Sequence, residues 1–313
     1  MRMGWITVRK RYDCPLTVLF AAFAACSNGG RSANPGGSCG AGPGEGGSLG
    51  NSSSSGQPIG TGGQTSTGGT GVGGANDTGL ADTGTSNGGV GGNINPCPAK
   101  GIACAIMPLG DSITEGYRAS GPGGGYRPPL FHLALQDKKS ITFVGSAPPN
   151  GPDTVDGVAF PKQNEGLSGR TIDAIAALIP TTIDTNKPNI ILLHVGTNDF
   201  ASGPLNMTNQ LGPLIDKIVA AAPDVLLVVA RILPCKTDSI NTGTIEPYND
   251  AMPAMVGARA DAGKHVMLVD MYSAFTANAD YKTALLYDEY HPWDAGYSLM
   301  ASVWYTAIKH YLP

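Results

Sequence analysis

Ser112 is the first residue whose position suggests chemistry. In the stretch IMPLGDSITEG it follows a short apolar run and precedes residues that are compatible with a helix. A serine hydroxyl is a weak nucleophile alone, so a catalytic role requires a base, a group that orients the base, and donors for a developing oxyanion. Serine is also a favoured helix N-cap, and this structural role is the alternative interpretation of Ser112.

The other parts of such a site occur further along the chain. In LLYDEYHPWDAGY, Asp288 precedes His291 by three residues, so the carboxylate can orient the imidazole while the second ring nitrogen faces a hydroxyl. Asn198 in HVGTND can donate its amide to an oxyanion, and Gly169 in NEGLSGRTIDAI lets a backbone N–H approach a ligand closely. The pattern predicts an acyl-transfer site.

The elements that must position these residues alternate between strands and helices. Five apolar runs rich in β-branched residues have strand length: CAIMPLG, ITFVGS, NIILLHVG, VLLVVARI and HVMLVDM. Helical patterns separate them, and a long amphipathic pattern ends the chain. The sequence predicts an α/β fold, a doubly wound, flavodoxin-like three-layer α/β/α sandwich with a five-stranded parallel sheet, and a site at the carboxyl ends of the strands.

Four ordered blocks give this segment a family resemblance. GDSITEG, the glycine of GLSGRTI, GTND and DEYHP resemble the blocks of the SGNH hydrolases, also called GDSL-like esterases, across nearly all of residues 104–313. The resemblance implies that Ser112 is the nucleophile, His291 the base and Asp288 the orienting acid. It also implies an oxyanion hole formed by the backbone N–H groups of Ser112 and Gly169 and the side-chain amide of Asn198.

A narrower resemblance concerns the substrate. IMPLGDSITEG, GGYRPPL, FVGS, EGLSGRTI and LLHVGTND are similar to the acetyl xylan esterases of carbohydrate esterase family 3. The chain departs from that pattern at Asn164, where histidine is expected before Glu165 and Gly166. This departure concerns substrate preference more than chemistry.

Aromatic and polar residues near the blocks have two interpretations. Tyr117, Tyr126 and Trp293 are candidates for stacking on sugar rings, although aromatic residues at helix starts also pack in cores. We expect Asp111 and Asp199 to bond loop backbone and hold the shape of the site.

His194 lies on an apolar strand, and we expect it to be a satisfied core histidine rather than a catalyst.

The amino-terminal third has a different composition. Residues 1–25 combine a basic start with the apolar run PLTVLFAAFAA, which is typical of a secretory signal. FAAC, ending at Cys26, resembles the lipobox of bacterial lipoproteins except for its phenylalanine, so we expect lipidation of Cys26, with ordinary cleavage near AFA as the alternative. Residues 26–96 are rich in Gly, Ser, Thr and Asn and are predicted to be a disordered linker, and residues 97–313 form the catalytic domain.

The net charge and the cysteine content indicate which ligands and which disulfide the protein can be expected to have. The net charge is −4, and residues 1–25 contain four basic residues and one acidic residue, so the mature chain carries −7. Without a basic patch, nucleic-acid binding is not expected. No cysteine and histidine spacing predicts a metal site, and the chemistry needs no cofactor. Two arrangements of the disulfide remain open: Cys97 can pair with Cys104, or Cys235 can compete for this pairing.

The sequence therefore favours a secreted or surface-tethered serine esterase that removes O-acetyl groups from polysaccharide, with acetylated xylan as the expected substrate. Contact with a membrane is expected only through the anchor. A lipase, thioesterase or lysophospholipase on the same scaffold is the first alternative, but the Gly- and Pro-rich polar loops favour small acyl groups. A noncatalytic carbohydrate-binding module is the second, and a base beside a serine argues against it.

Overall fold

A computed structural model describes residues 94–313. The predicted signal peptide, the lipidation of Cys26 and almost all of the predicted linker lie outside the described residues. The linker prediction reaches the described part only at its last residues, 94–96.

The described chain alternates between strands and helices, as its apolar pattern predicts. The strands are β1 Cys104–Gly110, β2 Ile141–Phe143, β3 Thr154–Val155, β4 Val158–Ala159, β5 Glu165–Gly166, β6 Ile190–His194, β7 Leu226–Arg231 and β8 Val266–Asp270. The α-helices are α1 Ser112–Glu115, α2 Arg127–Gln136, α3 Ile172–Ala176, α4 Thr181–Asn186, α5 Pro204–Ala221, α6 Asp238–Ile240, α7 Glu246–Asp261, α8 Met271–Thr276, α9 Tyr281–Ala284 and α10 Asp294–Ile308. A 3₁₀ helix covers Thr197–Ser202, and a π-helical turn covers Asn241–Ile245.

The main sheet has the order β2-β1-β6-β7-β8, and all of these pairs are parallel. This is the doubly wound order in which the chain reverses direction beside β1, and ligands in such folds bind at the carboxyl ends of the strands at that point. The predicted α/β/α architecture is therefore confirmed. Three two-residue strands were not predicted. β3 and β4 form a separate antiparallel pair, and β5 pairs with the end of β1 at Leu109–Glu165 and Gly110–Gly166.

Both faces of the sheet are buried, which explains why its strands are continuously apolar. Neighbouring residues of one strand contribute to opposite cores. Ile106 and Leu192 pack in a cluster that includes residues of α2 and α10, whereas Met107 and Leu193 pack in a second cluster with residues of α3, α5 and α7. The period of two along each strand therefore divides the interior into two apolar layers.

A disulfide joins the segment before the sheet to β1. Cys97 bonds Cys104, the first residue of β1, and Cys235 is a buried free thiol. Of the two arrangements that the sequence left open, the structure contains the Cys97–Cys104 disulfide.

Candidate active site

Ser112 lies where β1 turns into α1. Asp111 caps the helix by accepting a hydrogen bond from the Ile113 backbone N–H at 3.0 Å, so the serine is the first helical residue and not the cap. The interpretation of Ser112 as a helix N-cap is therefore wrong. The helix has four residues and ends at Gly116, whose φ of 94° is left-handed. A helix this short adds little dipole, so any anion stabilisation here must come from individual N–H groups.

A chain of hydrogen bonds connects the three predicted catalytic side chains. The Oγ of Ser112 lies 2.9 Å from Nε2 of His291. The Nδ1 of His291 lies 2.9 Å and 3.0 Å from the two carboxylate oxygens of Asp288. Ser112 and His291 are 179 residues apart in sequence, so this contact depends on the fold. The geometry suits proton transfer from the serine to the imidazole, with the carboxylate orienting the ring.

The environment of Asp288 keeps it ionised. Burial opposes ionisation, but the backbone N–H groups of His291 and Tyr290 and the His291 ring donate hydrogen bonds that outweigh it. The pKa of Asp288 is therefore below its ordinary value. An ionised Asp288 holds the proton of His291 on Nδ1 and leaves Nε2 free to accept the proton of Ser112.

Hydrogen bonds tie the loop that carries Asp288 and His291 to neighbouring segments of the chain. Leu286 and Pro292 form an isolated antiparallel bridge, and the Tyr287 N–H donates to the His291 carbonyl at 2.7 Å. The Thr237 N–H donates to Glu289 at 2.8 Å, which fastens the loop to the segment after β7. These bonds fix the position of the imidazole without using its ring nitrogens.

Gly169 lies on a loop that follows β5, which pairs with the end of β1 just before Ser112. Gly166 packs against α1 so closely that a Cβ atom there would lie 2.2 Å from the Glu115 nitrogen. The Leu167 N–H donates to the Gly110 carbonyl at 2.9 Å, and the Ser168 hydroxyl bonds the Glu115 carboxylate. Gly169 itself is exposed, with a left-handed φ of 76°. Gly166 makes the close contact with α1 and Gly169 supplies a turn, while the approach of the Gly169 N–H to a ligand stays a prediction.

Asn198 reaches the same loop from the end of β6. Its side-chain nitrogen donates to the Arg170 carbonyl at 3.0 Å. An amide nitrogen carries two hydrogens, so one N–H remains for a second acceptor. Asn198 is exposed and next to the Gly169 segment, so the structure brings two of the predicted oxyanion donors to one place. Ser112 lies at the end of the adjacent strand.

Comparison with known proteins identifies the family of the domain. The model of the GDSL-like Lipase/Acylhydrolase family matches residues 109–299. The chain belongs to this family. The prediction of a GDSL-type carboxylic ester hydrolase is thereby confirmed for the domain that carries Ser112.

Two curated relatives are named as an esterase and as a putative endoglucanase. The chain is 30% identical over 231 residues to a multidomain esterase of Ruminococcus flavefaciens, covering 66% of this chain but 28% of that protein. It is 32% identical over 136 residues to a putative endoglucanase X of Acetivibrio thermocellus, covering 43% of this chain and 56% of that protein. The chain thus spans less than two thirds of either curated relative.

Two solved structures resemble the domain over nearly their whole length. A family 3 carbohydrate esterase of Clostridium thermocellum is 34% identical, with a TM-score of 0.57, and the match covers 67% of this chain and 98% of that one. A family 3 carbohydrate esterase of Talaromyces cellulolyticus is 26% identical, with a TM-score of 0.55, and the match covers 66% of this chain and 97% of that one.

Two buried carboxyl groups, those of Asp111 and Asp199, lie close enough to interact, and Asp111 directly precedes Ser112. Asp199 accepts hydrogen bonds from the Ile172 N–H, the longer at 3.3 Å, and Asp111 accepts from Ile113, so both bond loop backbone as predicted. Burial raises the pKa of Asp111 to about 7, helped by the nearby Asp199, and burial raises the pKa of Asp199 to about 6. Each carboxyl is therefore protonated over a wider pH range than an exposed one.

The predicted sugar-stacking residues occupy different environments. Tyr126 is fully buried and packs against Trp304 with ring centroids 6.0 Å apart, so it has no face for a sugar. Its predicted role in substrate binding is wrong, because the helix start it occupies faces the core. Tyr117 and Trp293 are 41% and 43% exposed. The centroids of the Tyr117 and His291 rings lie 4.7 Å apart, which places Tyr117 beside the predicted catalytic triad of Ser112, His291 and Asp288.

Two residues beside the triad were missed by sequence reasoning. Tyr287 packs edge-on against Trp293 with centroids 4.6 Å apart. Arg118 contacts both Tyr117 and Tyr287. The proximity of Tyr287 to Asp288 in sequence was an available signal, whereas nothing in the spacing connects Arg118 with a tyrosine so much later in the chain.

Asn164 and His194 lie in the interior. Asn164 is fully buried. Its side-chain oxygen accepts a hydrogen bond from the Gly166 N–H at 2.9 Å, and its side-chain nitrogen donates to carbonyl groups of neighbouring loops, including that of Pro148 at 3.3 Å. The departure from the acetyl xylan esterase pattern therefore affects loop support and not a substrate contact.

His194 is buried as predicted, but neither ring nitrogen has a hydrogen-bond partner among residues 94–313, so the expectation that it is satisfied is wrong. Burial lowers its pKa to about 4, which keeps the ring neutral near pH 7.

Within the described residues, His, Cys, Asp and Glu side chains form no group of three or more that is placed to hold a metal ion. In the same part of the chain, every helix is too short or too polar to traverse a bilayer.

Proposed function

We propose that this protein is a serine esterase that removes O-acetyl groups from polysaccharide, with acetylated xylan as its substrate, through an acyl-enzyme on Ser112. The observation that carries the proposal is the continuous hydrogen-bond chain from Ser112 through His291 to Asp288. Two observations support a carbohydrate substrate. The chain is 34% identical to a family 3 carbohydrate esterase, and the exposed large side chains near the triad, Tyr117, Tyr287 and Trp293, are aromatic rather than aliphatic.

Acylation begins at the serine hydroxyl. Nε2 of His291 accepts the proton of Ser112 Oγ as the oxygen attacks the ester carbonyl carbon. The resulting oxyanion accepts hydrogen bonds from the backbone N–H groups of Ser112 and Gly169 and from the free amide N–H of Asn198. One such donor contributes about 3 to 4 kcal/mol to transition-state stabilisation. When the tetrahedral intermediate collapses, His291 gives the proton to the departing sugar oxygen.

Deacylation follows the same steps, with water in place of the serine as the attacking group. His291 removes a proton from a water molecule, which attacks the acetyl carbonyl of the acyl-enzyme, and the collapse returns the proton to Ser112 and releases acetate. Asp288 remains ionised throughout and stabilises the imidazolium that forms at each step. Every proton transfer in this cycle passes through Nε2 of His291, which lies 2.9 Å from Ser112 Oγ.

We also propose that the protein acts outside the cytoplasm. Residues 1–25 act as the signal, and lipidated Cys26 and the linker tether the domain at the outer cell surface. A flexible chain of about 70 residues has an end-to-end distance of about 45 Å. This reach suits an enzyme that must contact an insoluble polymer while remaining on the cell.

The acyl preference is tested by comparing short and long 4-nitrophenyl esters. We expect the acetate ester to be hydrolysed with a specificity constant at least about tenfold higher than the octanoate ester, equivalent to about 1.4 kcal/mol. Acetate release from acetylated xylan, followed by chromatography, is the matching polymer assay, with Ser112→Ala as the inactive control. A preference for octanoate, or a polymer rate no higher than that of the control, would show that the substrate proposal is wrong.

A further inference from the structure

Arg118 lies at the edge of the candidate site in an unusual conformation. Its φ is 70°, the left-handed region that residues with a Cβ seldom occupy. The guanidinium carbon lies 4.5 Å from the centroid of the Tyr117 ring and 5.0 Å from that of Tyr287. The side chain is 42% exposed. A long, flexible side chain is thus held against two aromatic rings within reach of solvent.

The backbone around Arg118 is fixed from both sides. The Tyr297 hydroxyl of α10 donates to the Tyr117 carbonyl at 2.6 Å, and the Ser120 N–H donates to the Asp294 carboxylate at 2.9 Å. The Tyr117 N–H donates to the Ser112 carbonyl at 2.9 Å. Because these bonds tie the segment to α1 and α10, Arg118 keeps a constant position relative to the nucleophile.

The guanidinium of Arg118 has unused hydrogen-bonding capacity. Its Nε lies 3.7 Å from Oδ2 of Asp288, which is an ion pair but too long for a hydrogen bond. The Asp288 oxygens already accept hydrogen bonds from Tyr290 and His291. Within residues 94–313, Arg118 donates no hydrogen bond at all. An arginine whose faces pack on aromatic rings keeps its N–H edge free, and that edge matches a carboxylate in a bidentate geometry.

We propose that Arg118 binds a carboxylate of the substrate, so that the preferred polysaccharide carries uronate units as well as acetyl esters. This inference rests on the proposed function. The chain has a net charge of −4, so an anionic polymer would otherwise be repelled. The positively charged guanidinium of Arg118, fixed in position beside the triad, offers such a polymer a specific binding site for a carboxylate.

Arg118 also has a structural alternative, in which its charge acts only through Asp288. The two roles differ in their dependence on substrate. Loss of a carboxylate contact weakens turnover of anionic substrates alone and raises their KM, because the contact exists in the ground state as well as in the transition state. Loss of support for Asp288 lowers kcat for every ester.

The test compares one acetylated, uronate-containing xylan with the same polymer after its carboxylates have been converted to neutral amides by carbodiimide coupling at mildly acidic pH, which spares acetyl esters. The enzymes are the wild type, Arg118→Lys, Arg118→Gln and Lys264→Gln. Lys264 is exposed and lies just before β8, at the amino end of that strand, whereas the candidate site lies at the carboxyl ends of the strands. Its substitution therefore removes one positive charge at a position away from the site.

We expect Arg118→Gln to raise KM for the anionic polymer by about tenfold, the size of a lost charge-assisted hydrogen bond, and to change KM for the amidated polymer by less than about twofold. Arg118→Lys should retain part of the preference, and Lys264→Gln should retain all of it. Equal loss on both polymers, a change confined to kcat, or no change would overturn the proposal.

A failure of the proposed function gives a different result. If wild-type enzyme releases acetate from neither polymer, the polysaccharide assignment is wrong. The same variants are then compared on 3-acetoxybenzoate and the neutral 3-acetoxybenzamide. A wild-type preference for the anionic ester that Arg118→Gln abolishes would support anion recognition independently of the polymer, and its absence would refute it.

Discussion

At the scale of single residues, the proposed nucleophile role of Ser112 depends on its neighbours. Its hydroxyl contacts His291, which in turn contacts Asp288, and the cap of the helix is a different residue, Asp111. Chemistry and capping are thus divided between adjacent positions. Because Asp111 caps the helix, the Ser112 hydroxyl is not needed as a cap and is available for the proposed role.

The catalytic roles predict a graded set of losses. Ser112→Ala should abolish turnover and labelling by a fluorophosphonate, and His291→Ala should be nearly as severe, because nucleophile and base act as a unit. Asp288→Asn should lower kcat by up to about 10⁴-fold, since the amide favours the wrong imidazole tautomer. Asn198→Ala should remain labelled but lose about 10²- to 10³-fold in kcat. Labelling of another serine in an active Ser112→Ala variant would refute the assignment.

The buried Asp111 predicts a pH-dependent stability. Its pKa is about 7 in the folded protein against 3.8 as the ordinary value. A raised folded-state pKa means that the folded state binds the proton more tightly, so the contribution is complete below pH 4 and is lost as the pH rises through 7. At about 1.4 kcal/mol per pH unit, this loss is up to about 4 kcal/mol.

The variant Asp111→Asn removes this titration and keeps an oxygen acceptor for the Ile113 N–H. We expect its free energy of unfolding to increase relative to that of wild type between about pH 4.5 and about pH 8, because only wild type loses stability over this range, as measured by urea denaturation at both pH values. The exposed Asp261→Asn serves as the control. A difference between Asp111→Asn and wild type that is the same at both pH values would show that Asp111 does not titrate in this range.

At the scale of elements, the end of β1 organises the site. This strand pairs with β2, β5 and β6, so the turn that follows it adjoins the Gly169 loop on one side and the end of β6 on the other. Parallel strands place their carboxyl ends at one edge of the sheet, which explains how residues from four separate blocks meet. The opposite end of β1 carries the disulfide.

The disulfide should therefore affect stability without affecting catalysis. The bridge closes a short loop, with a sequence separation of 7, and loop-closure entropy predicts a stabilisation of about 2 to 3 kcal/mol. For a domain of this size that corresponds to a Tm lower by about 5 to 10 °C in Cys97→Ser. Because Cys104 begins β1 and Ser112 follows its end, the rate of 4-nitrophenyl acetate hydrolysis should stay within about twofold of wild type. A large loss of activity at a temperature where the variant is folded would contradict this separation.

At the scale of the whole molecule, the described domain follows an amino-terminal third of different composition. The proposed tether makes a prediction for the complete protein in a bacterial host. Wild-type protein should partition with membranes, and Cys26→Ala should be released or misprocessed, as seen by fractionation and by mass spectrometry of the N-terminus. Cys39→Ser, within the same Gly-rich region, is the matched control. Wild-type protein found wholly in the medium with an unlipidated N-terminus would remove the tether.

The sequence alone determined the fold class and predicted the side chains that the structure joins by hydrogen bonds, Ser112, His291 and Asp288. Continuous apolar runs imply strands buried on both faces, and the Asp288–His291 pair is local enough to be read from its spacing. Local chemistry and periodicity depend only on residues that are close together in the chain, so both can be recognised in the sequence. The short pairing of β5 with β1 left no such trace, because two residues carry no periodic signal.

Tertiary structure decided which side chains face the site. Tyr126 and Tyr117 look alike in sequence, yet one is fully buried and the other is 41% exposed. The contact between Arg118 and Tyr287 brings together residues from distant parts of the chain. Burial and long-range contact depend on how helices and loops pack around the sheet, and the free energy of that packing is spread over many residues, so no single stretch of sequence encodes it.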